Sequence, residues 1–138
     1  MSTTPSYSGE CLCGAIRYRI AAEAPKAMFL CHCTRCRKET GTLHGANVFF
    51  REGELSFERG EDRLSRFALE GTRKKRWFCE TCGSPMPRQD PGGMIVLPAG
   101  SLDDGSMLTP DAHIFHDSRA EWADRAAEAP RHSEYADR

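Results

Sequence analysis

The 138-residue chain has no excess of charge of either sign: Lys and Arg number 19, Asp and Glu 20, for a formal net charge of −1. That balance excludes a protein that binds nucleic acid or an anionic membrane through bulk basicity, though not a local patch. No stretch approaches the ~20 apolar residues of a membrane-spanning helix, so no membrane partner is expected. The opening residues MSTTPSYSGE contain neither a basic segment nor an apolar one of the secretory type, which makes a cytoplasmic location the expectation. Apolar residues are also sparse, at 39% where about 45–50% is usual. One domain is expected at this length, and its core calls for a supplement such as a bound metal.

Along the chain the pattern is that of short strands. Ile16, Tyr18 and Ile20 alternate with Arg17 and Arg19, the period of a half-buried strand. Ala27 to Cys31, Leu64 to Leu69, Lys75 to Cys79, Met94 to Pro98 and Ala112 to His116 extend the series. Asn47 to Phe50 and Glu54 to Phe57 read as a hairpin turning at Gly53. Thr34 to Thr40 is expected to form a helical turn or two, ended by Gly41. Residues 1–8 are expected to be a flexible N-terminus, 9–122 a zinc domain and 123–138 a charged tail, with Trp122 anchoring that tail. Phe49, Phe50, Phe57 and Phe67 are expected in the core, as are Trp77 and Phe78 beside a closed zinc site.

Seven cysteines are what the chain has in abundance. Their number is odd and nothing points to an oxidising compartment, so metal ligation is a better reading than disulfides. They form Cys11-x-Cys13, Cys31-x-Cys33-x-x-Cys36 and Cys79-x-x-Cys82. The two pairs supply the four thiolates of a closed structural zinc site. The triplet then has three ligands and one open position, the usual form of a catalytic zinc. Partitions in which the triplet takes a further cysteine, His32 or His44 are also compatible with the spacing.

At these residues the chain resembles the glutathione-dependent formaldehyde-activating enzyme family, whose domain also occurs in centromere protein V. The segments that carry the resemblance are Gly9-Glu-Cys-Leu-Cys-Gly-Ala-Ile-Arg-Tyr18, Cys31-His-Cys-Thr-Arg-Cys-Arg37, Trp77-Phe-Cys-Glu-Thr-Cys-Gly-Ser-Pro85, Pro98-Ala-Gly-Ser-Leu-Asp103 and His113-Ile-Phe, followed by Asp117-Ser-Arg-Ala-Glu-Trp122. The resemblance implies a mainly β, zinc-stabilised β-tent fold of coiled antiparallel sheets with short helical turns. It implies a structural zinc on Cys11, Cys13, Cys79 and Cys82, and a second zinc on Cys31, Cys33 and Cys36. It further implies a carbon–sulfur lyase that interconverts glutathione plus formaldehyde and S-(hydroxymethyl)glutathione.

Zinc with three thiolates carries a formal charge of −1, which suits a fourth soft ligand such as a substrate thiol better than activation of water. Arg35, Arg37 and Lys38 flank Cys36 and are candidates for pairing with glutathione carboxylates, against the alternative that they are solvated. His32 is read either as a ligand or proton shuttle or, with greater weight, as turned away from the metal by its position between two ligands. His44 and Asn47 are candidate pocket residues. Arg73-Lys-Lys-Arg76 is read as a solvated strand edge that deters aggregation, in preference to a nucleic-acid contact. His113 and His116, three apart on one strand, are expected on opposite faces. Asp103-Asp104 reads as a turn or cap. The enzyme reading stands against two others, a non-catalytic zinc-binding module and a carrier of glutathione or another small thiol.

Overall fold

The computed structural model describes residues 4–136. In chain order it contains β1 (Ser6–Glu10), β2 (Arg17–Ala21), β3 (Ala27–Cys31), α1 (Thr34–Thr40), β4 (Gly45–Phe50), β5 (Glu54–Arg59), β6 (Leu64–Ala68), β7 (Lys75–Cys79), β8 (Pro85–Met86), β9 (Arg88–Gln89), β10 (Ile95–Pro98), β11 (Ala112–Ile114) and the single turn α2 (Ala123–Ala126). The protein is mainly β, as expected. Its strands form three small sheets in the orders β1-β2-β5, β11-β3-β4-β10-β9 and β6-β7-β8. All pairs are antiparallel except β11 with β3.

The alternation read from residues 16–20 is realised on β2 and the turn before it, where Ile16, Tyr18 and Ile20 are fully buried. They meet Val48 and Phe50 of β4 and Ile95 and Leu97 of β10 in one continuous core. Burying each such side chain favours folding by about 1.5–3 kcal/mol. The Tyr18 hydroxyl reaches Ser101 Oγ at 2.6 Å. Burial pushes Tyr18 up to about 12, the Ser101 hydrogen bond working against the rise.

Four expectations are corrected here. Asn47–Phe50 and Glu54–Phe57 are not hairpin partners: β4 lies between β3 and β10, whereas β5 pairs with β2. The chain changes sheets at Gly53, where φ is 146° and an added Cβ would stand 2.8 Å from Ala22 Cβ and 2.9 Å from the Ala21 carbonyl oxygen. Only glycine permits so close a passage between the sheets. The segment expected to be flexible supplies β1 from Ser6 onward, because its backbone pairs along β2 from Ser6↔Ala21 to Glu10↔Arg17. Residues 1–3 of that segment lie outside the described residues. Phe67 is 55% exposed, since β6 sits at the edge of its sheet, while Phe50 is buried and Phe57 packs against the core. Trp122 is 47% exposed; the buried residue nearby is Ala120. Arg119, just before it, pairs with Asp124 at 3.1 Å; residues 137–138 of the tail lie outside the described residues.

Candidate functional site

Backbone geometry gathers the cysteines into two groups. Cys11 and Cys13 lie in the turn between β1 and β2, Cys79 ends β7, and Cys82 lies in the turn to β8. The turn after Cys82 closes through Gly83, at φ 78°, whose N–H donates to the Cys79 carbonyl at 2.8 Å. The four sulfurs lie within 4.8 Å of one another. Cys11 and Cys13 Sγ are 3.7 Å apart, and Cys13 and Cys79 Sγ 3.9 Å. Four thiolates on a tetrahedral zinc, with bonds of about 2.3 Å, stand about 3.8 Å apart, so this donor set fits that ion. Backbone N–H groups of Ile16 and Thr81 point at Cys11 and Cys79 Sγ, at 3.3 and 3.4 Å. Ser84 Oγ lies 3.2 Å from Cys82 Sγ; that hydrogen bond, with the Ser84 backbone, brings the Cys82 thiol down to about 5.

The second group is Cys31 at the end of β3, Cys33 at the N-cap of α1 and Cys36 in its first turn, again within 4.8 Å of one another. Cys33 Sγ accepts the Cys36 N–H at 3.3 Å and so starts the helix. The helix ends as its sequence predicts, with Gly41 at φ 67° and its N–H on the Arg37 carbonyl at 2.8 Å. Ionisation is unequal within the triplet. Burial pushes the Cys36 thiol up to about 12, its neighbours Cys31 and Cys33 adding to the rise and Lys74 opposing it. At Cys33 burial also raises, but backbone N–H groups of Cys36 and Arg35 and the adjacent sulfurs outweigh it, and the net direction is down. The triplet therefore offers a soft donor set compatible with a thiophilic metal ion such as zinc, one ligand short of a closed tetrahedron.

The two groups differ in surroundings: Cys13 of the first is exposed to solvent, whereas the second borders a cavity. Cys31 and Cys36 lie at the wall of a cavity of about 180 Å³, where Asn47 and the apolar side chains of Phe49, Trp77 and Met86 also stand. Arg73, Lys74, Lys75, Arg76 and Arg88 border it. Glu39 pairs with Lys74 at 2.5 Å, and Asp90 with Arg88 at 3.0 Å. Arg73 is exposed and makes no ion pair among the described residues. Cations thus exceed carboxylates around the opening.

Most of residues 73–76 is therefore not a solvated strand edge: Lys74, Lys75 and Arg76 are half-buried. Lys74 Nζ reaches Cys36 Sγ at 3.4 Å, and Arg76 donates to the carbonyls of Glu39 at 2.8 Å and Gly83 at 2.9 Å. Arg35, Arg37 and Lys38 do not line the cavity. Arg37 is a brace between elements, reaching the His32 carbonyl at 3.4 Å and the Ser118 carbonyl at 3.2 Å. Arg35 and Lys38 lie on the outer side of α1 near Phe67 and Leu69. Glu39, one turn beyond Cys36 on a short helix, carried a signal that sequence reading missed. Lys74 stood out only as part of the basic run 73–76 and Arg88 not at all, because only the tertiary fold brings them to the triplet.

His32 is buried and turns away from the sulfurs, the reading that carried more weight. Its Nε2 lies 2.8 Å from His113 Nδ1. Its ring stands 5.0 Å from those of His44 and His113 and 5.2 Å from that of His116. Burial, then the neighbouring imidazoles and Arg119, hold its ionisation below the ordinary histidine range. The expected opposition of His113 and His116 is corrected: β11 stops at Ile114, Phe115 adopts φ 52°, and the reversal leaves the two rings 5.8 Å apart. His44 belongs to this cluster and not to the cavity. Asp104 caps a turn by accepting the Ser106 N–H at 2.9 Å, and Asp103 pairs with Arg17 at 2.8 Å.

The fold and these two groups define a small β protein with two cysteine clusters, one of which borders a cavity, each able to hold a metal ion. The sequence profile of the family described as glutathione-dependent formaldehyde-activating enzyme matches residues 6–118, and the chain belongs to that family. A Halomonas elongata protein that carries the name of the same enzyme is 26% identical over 123 residues, which span 84% of this chain and 78% of the relative. Among solved structures, the crystal structure of a Rhodobacter sphaeroides protein is similar in fold, with a TM-score of 0.54 and 23% identity over 77% of this chain and 98% of that one. Among the described residues no helix is long and apolar enough to cross a membrane.

Proposed function

We propose that the chain holds two zinc ions, one closed on Cys11, Cys13, Cys79 and Cys82 and one open on Cys31, Cys33 and Cys36, and that the open site acts on a thiol–aldehyde adduct. The observation that carries this reading is the cavity beside Cys31 and Cys36 with its surplus of cations. Zinc at the triplet would supply a position at which a thiol is held as its thiolate.

The substrate class follows from the wall chemistry. Glutathione presents a thiol between two carboxylates, and Arg73, Lys75 and Arg88 are placed to attract those carboxylates. The cavity accommodates the cysteine end of the tripeptide while the charged ends lie along the basic rim. Phe49, Trp77 and Met86 keep water from the sulfur, and Asn47 is placed to hydrogen-bond a carbonyl oxygen. In the forming direction the thiolate sulfur attacks the formaldehyde carbon, a carbon–sulfur bond forms, and the oxygen takes a proton. The reverse breaks that bond and returns the thiolate, as a carbon–sulfur lyase does. Holding the two reactants together supplies most of the rate gain. Seven unpaired cysteines and a glutathione substrate both suit a reducing compartment, so we place the chain in the cytoplasm.

The test is exchange between free formaldehyde and its glutathione adduct, followed by NMR. The expected result is exchange faster than the spontaneous rate, which falls back to that rate in Cys33→Ala. Cobalt-substituted protein should change its spectrum with glutathione and not with S-methylglutathione, whose thioether is a poor ligand. A cobalt change without faster exchange would leave a thiol carrier; neither effect would leave a zinc-binding module.

A further inference from the structure

Lys74 belongs to a run of four cations, yet its surroundings set it apart. Its Nζ stands 3.4 Å from Cys36 Sγ and 2.5 Å from Glu39 Oε1, and its side chain is only 23% exposed. Glu39 lies one turn beyond Cys36 on α1, so a single helix presents both the sulfur and the carboxylate that hold the ammonium. Arg76 fixes Glu39 from another direction, with Nη1 2.8 Å from its carbonyl and 4.0 Å from its carboxylate. Lys74 and Glu39 by themselves would be electrically neutral. With Arg76 the group carries one net positive charge beside the Cys36 sulfur.

Three thiolates around a divalent zinc sum to −1, and an entering thiolate takes the site to −2. In a half-buried setting such an excess is screened far less than in water. We propose that Lys74 is the positioning residue that lets the triplet accept a fourth thiolate. Its ammonium donates an N–H···S hydrogen bond to Cys36 and draws charge from that sulfur. Glu39 holds the ammonium in place, and Arg76 keeps the balance positive. Hydrogen bonds to metal-bound ligands tune a site in this way. The inference rests on the reading of the triplet as a thiol-accepting zinc site.

The experiment uses the full chain substituted with cobalt(II), titrated with glutathione and followed by sulfur-to-cobalt charge-transfer absorption. Lys74→Met should bind cobalt in the same amount per chain and take up glutathione about tenfold more weakly, the scale on which such outer hydrogen bonds act. Lys74→Arg, which restores the charge and the donor, should recover most of the affinity. Wild-type affinity in Lys74→Met would overturn the inference, as would an arginine variant no better than the methionine one. Loss of cobalt from Lys74→Met would also overturn it, since the residue would then hold the site together instead of admitting the thiol. If the wild-type protein shows no change with glutathione, the thiol-accepting reading fails and this inference with it. A wild-type response that Lys74→Met reproduces leaves that reading intact and removes only the role of Lys74.

Discussion

The two cysteine groups lie in one small domain and use the same donor atom, yet their surroundings oppose each other. The four-cysteine group ties the β1–β2 turn to the end of β7, some seventy residues later, and its sulfurs are met by backbone N–H groups and Ser84. The three-cysteine group lies within six consecutive residues and, besides one backbone N–H on Cys33, is met by a cation and a cavity. Closing a long loop stabilises a fold, whereas a local loop adds little beyond what its own backbone already favours. On the proposed reading, the first group holds the chain together and the second holds a ligand.

The largest expected effect breaks the first group. Cys82→Ala should open that site to three thiolates, weaken its hold on metal and forfeit much of the folding free energy the metal supplies, a total on the order of 10 kcal/mol for a structural zinc. Thermal unfolding followed by circular dichroism should lose its cooperative transition. Next comes Cys33→Ala, which should leave a folded domain with one metal ion fewer per chain. It also removes the sulfur that caps α1, at a cost of about 1 kcal/mol. Equal loss of stability in the two variants would erase the division between them.

A smaller effect sharpens the division by joining the two groups. Arg76 donates to the Glu39 carbonyl on α1 and to the Gly83 carbonyl behind Cys82. Arg76→Ala should reduce stability by about 1 kcal/mol, because the carbonyls of half-buried Glu39 and exposed Gly83 lose their donor. Metal analysis should show the triplet losing its ion to a chelator sooner than in the wild type, with the four-cysteine site unchanged. If both sites loosened together, the bridge would serve the whole fold and not the triplet.

The smallest effect appears at alkaline pH in the sheet beside the four-cysteine group. Burial holds Tyr18 at about 12, whereas an unfolded tyrosine ionises near 10. The folded state thus keeps a proton that the unfolded state releases. Its contribution to stability is complete below about pH 10 and is lost as pH rises toward 12. Tyrosinate absorbance should show one of the three tyrosines ionising late, and Tyr18→Phe should remove that step. Ionisation of Tyr18 at the unfolded value would show that the hydroxyl is not enclosed as the core places it.

What could be read without coordinates was local. The cysteine spacings, the alternation of Ile16, Tyr18 and Ile20, and the helix from Thr34 to its stop at Gly41 all depend on backbone geometry over a few residues. That geometry is the same wherever the segment lies in the fold. Misread features were those in which distant segments compete. The residues around Gly53 have hairpin chemistry, but β4 has both edges occupied by β3 and β10, and β5 is left to β2. His113 and His116 were placed on opposite faces until Phe115 reversed the chain and brought them to His32.

The sequence by itself determined that this protein would be a mainly β domain with two unequal cysteine groups able to hold metal ions, since ligand type and spacing are properties of short segments. Only the tertiary structure decided which charges stand beside the three-cysteine group. Arg35, Arg37 and Lys38 are its neighbours along the chain but leave the cavity, because a helix sends successive side chains to different faces. Lys74 lies 38 residues from Cys36 and reaches its sulfur. That approach is set by the packing of β7 and the loop before it against α1, a long-range term that no local pattern of residues contains.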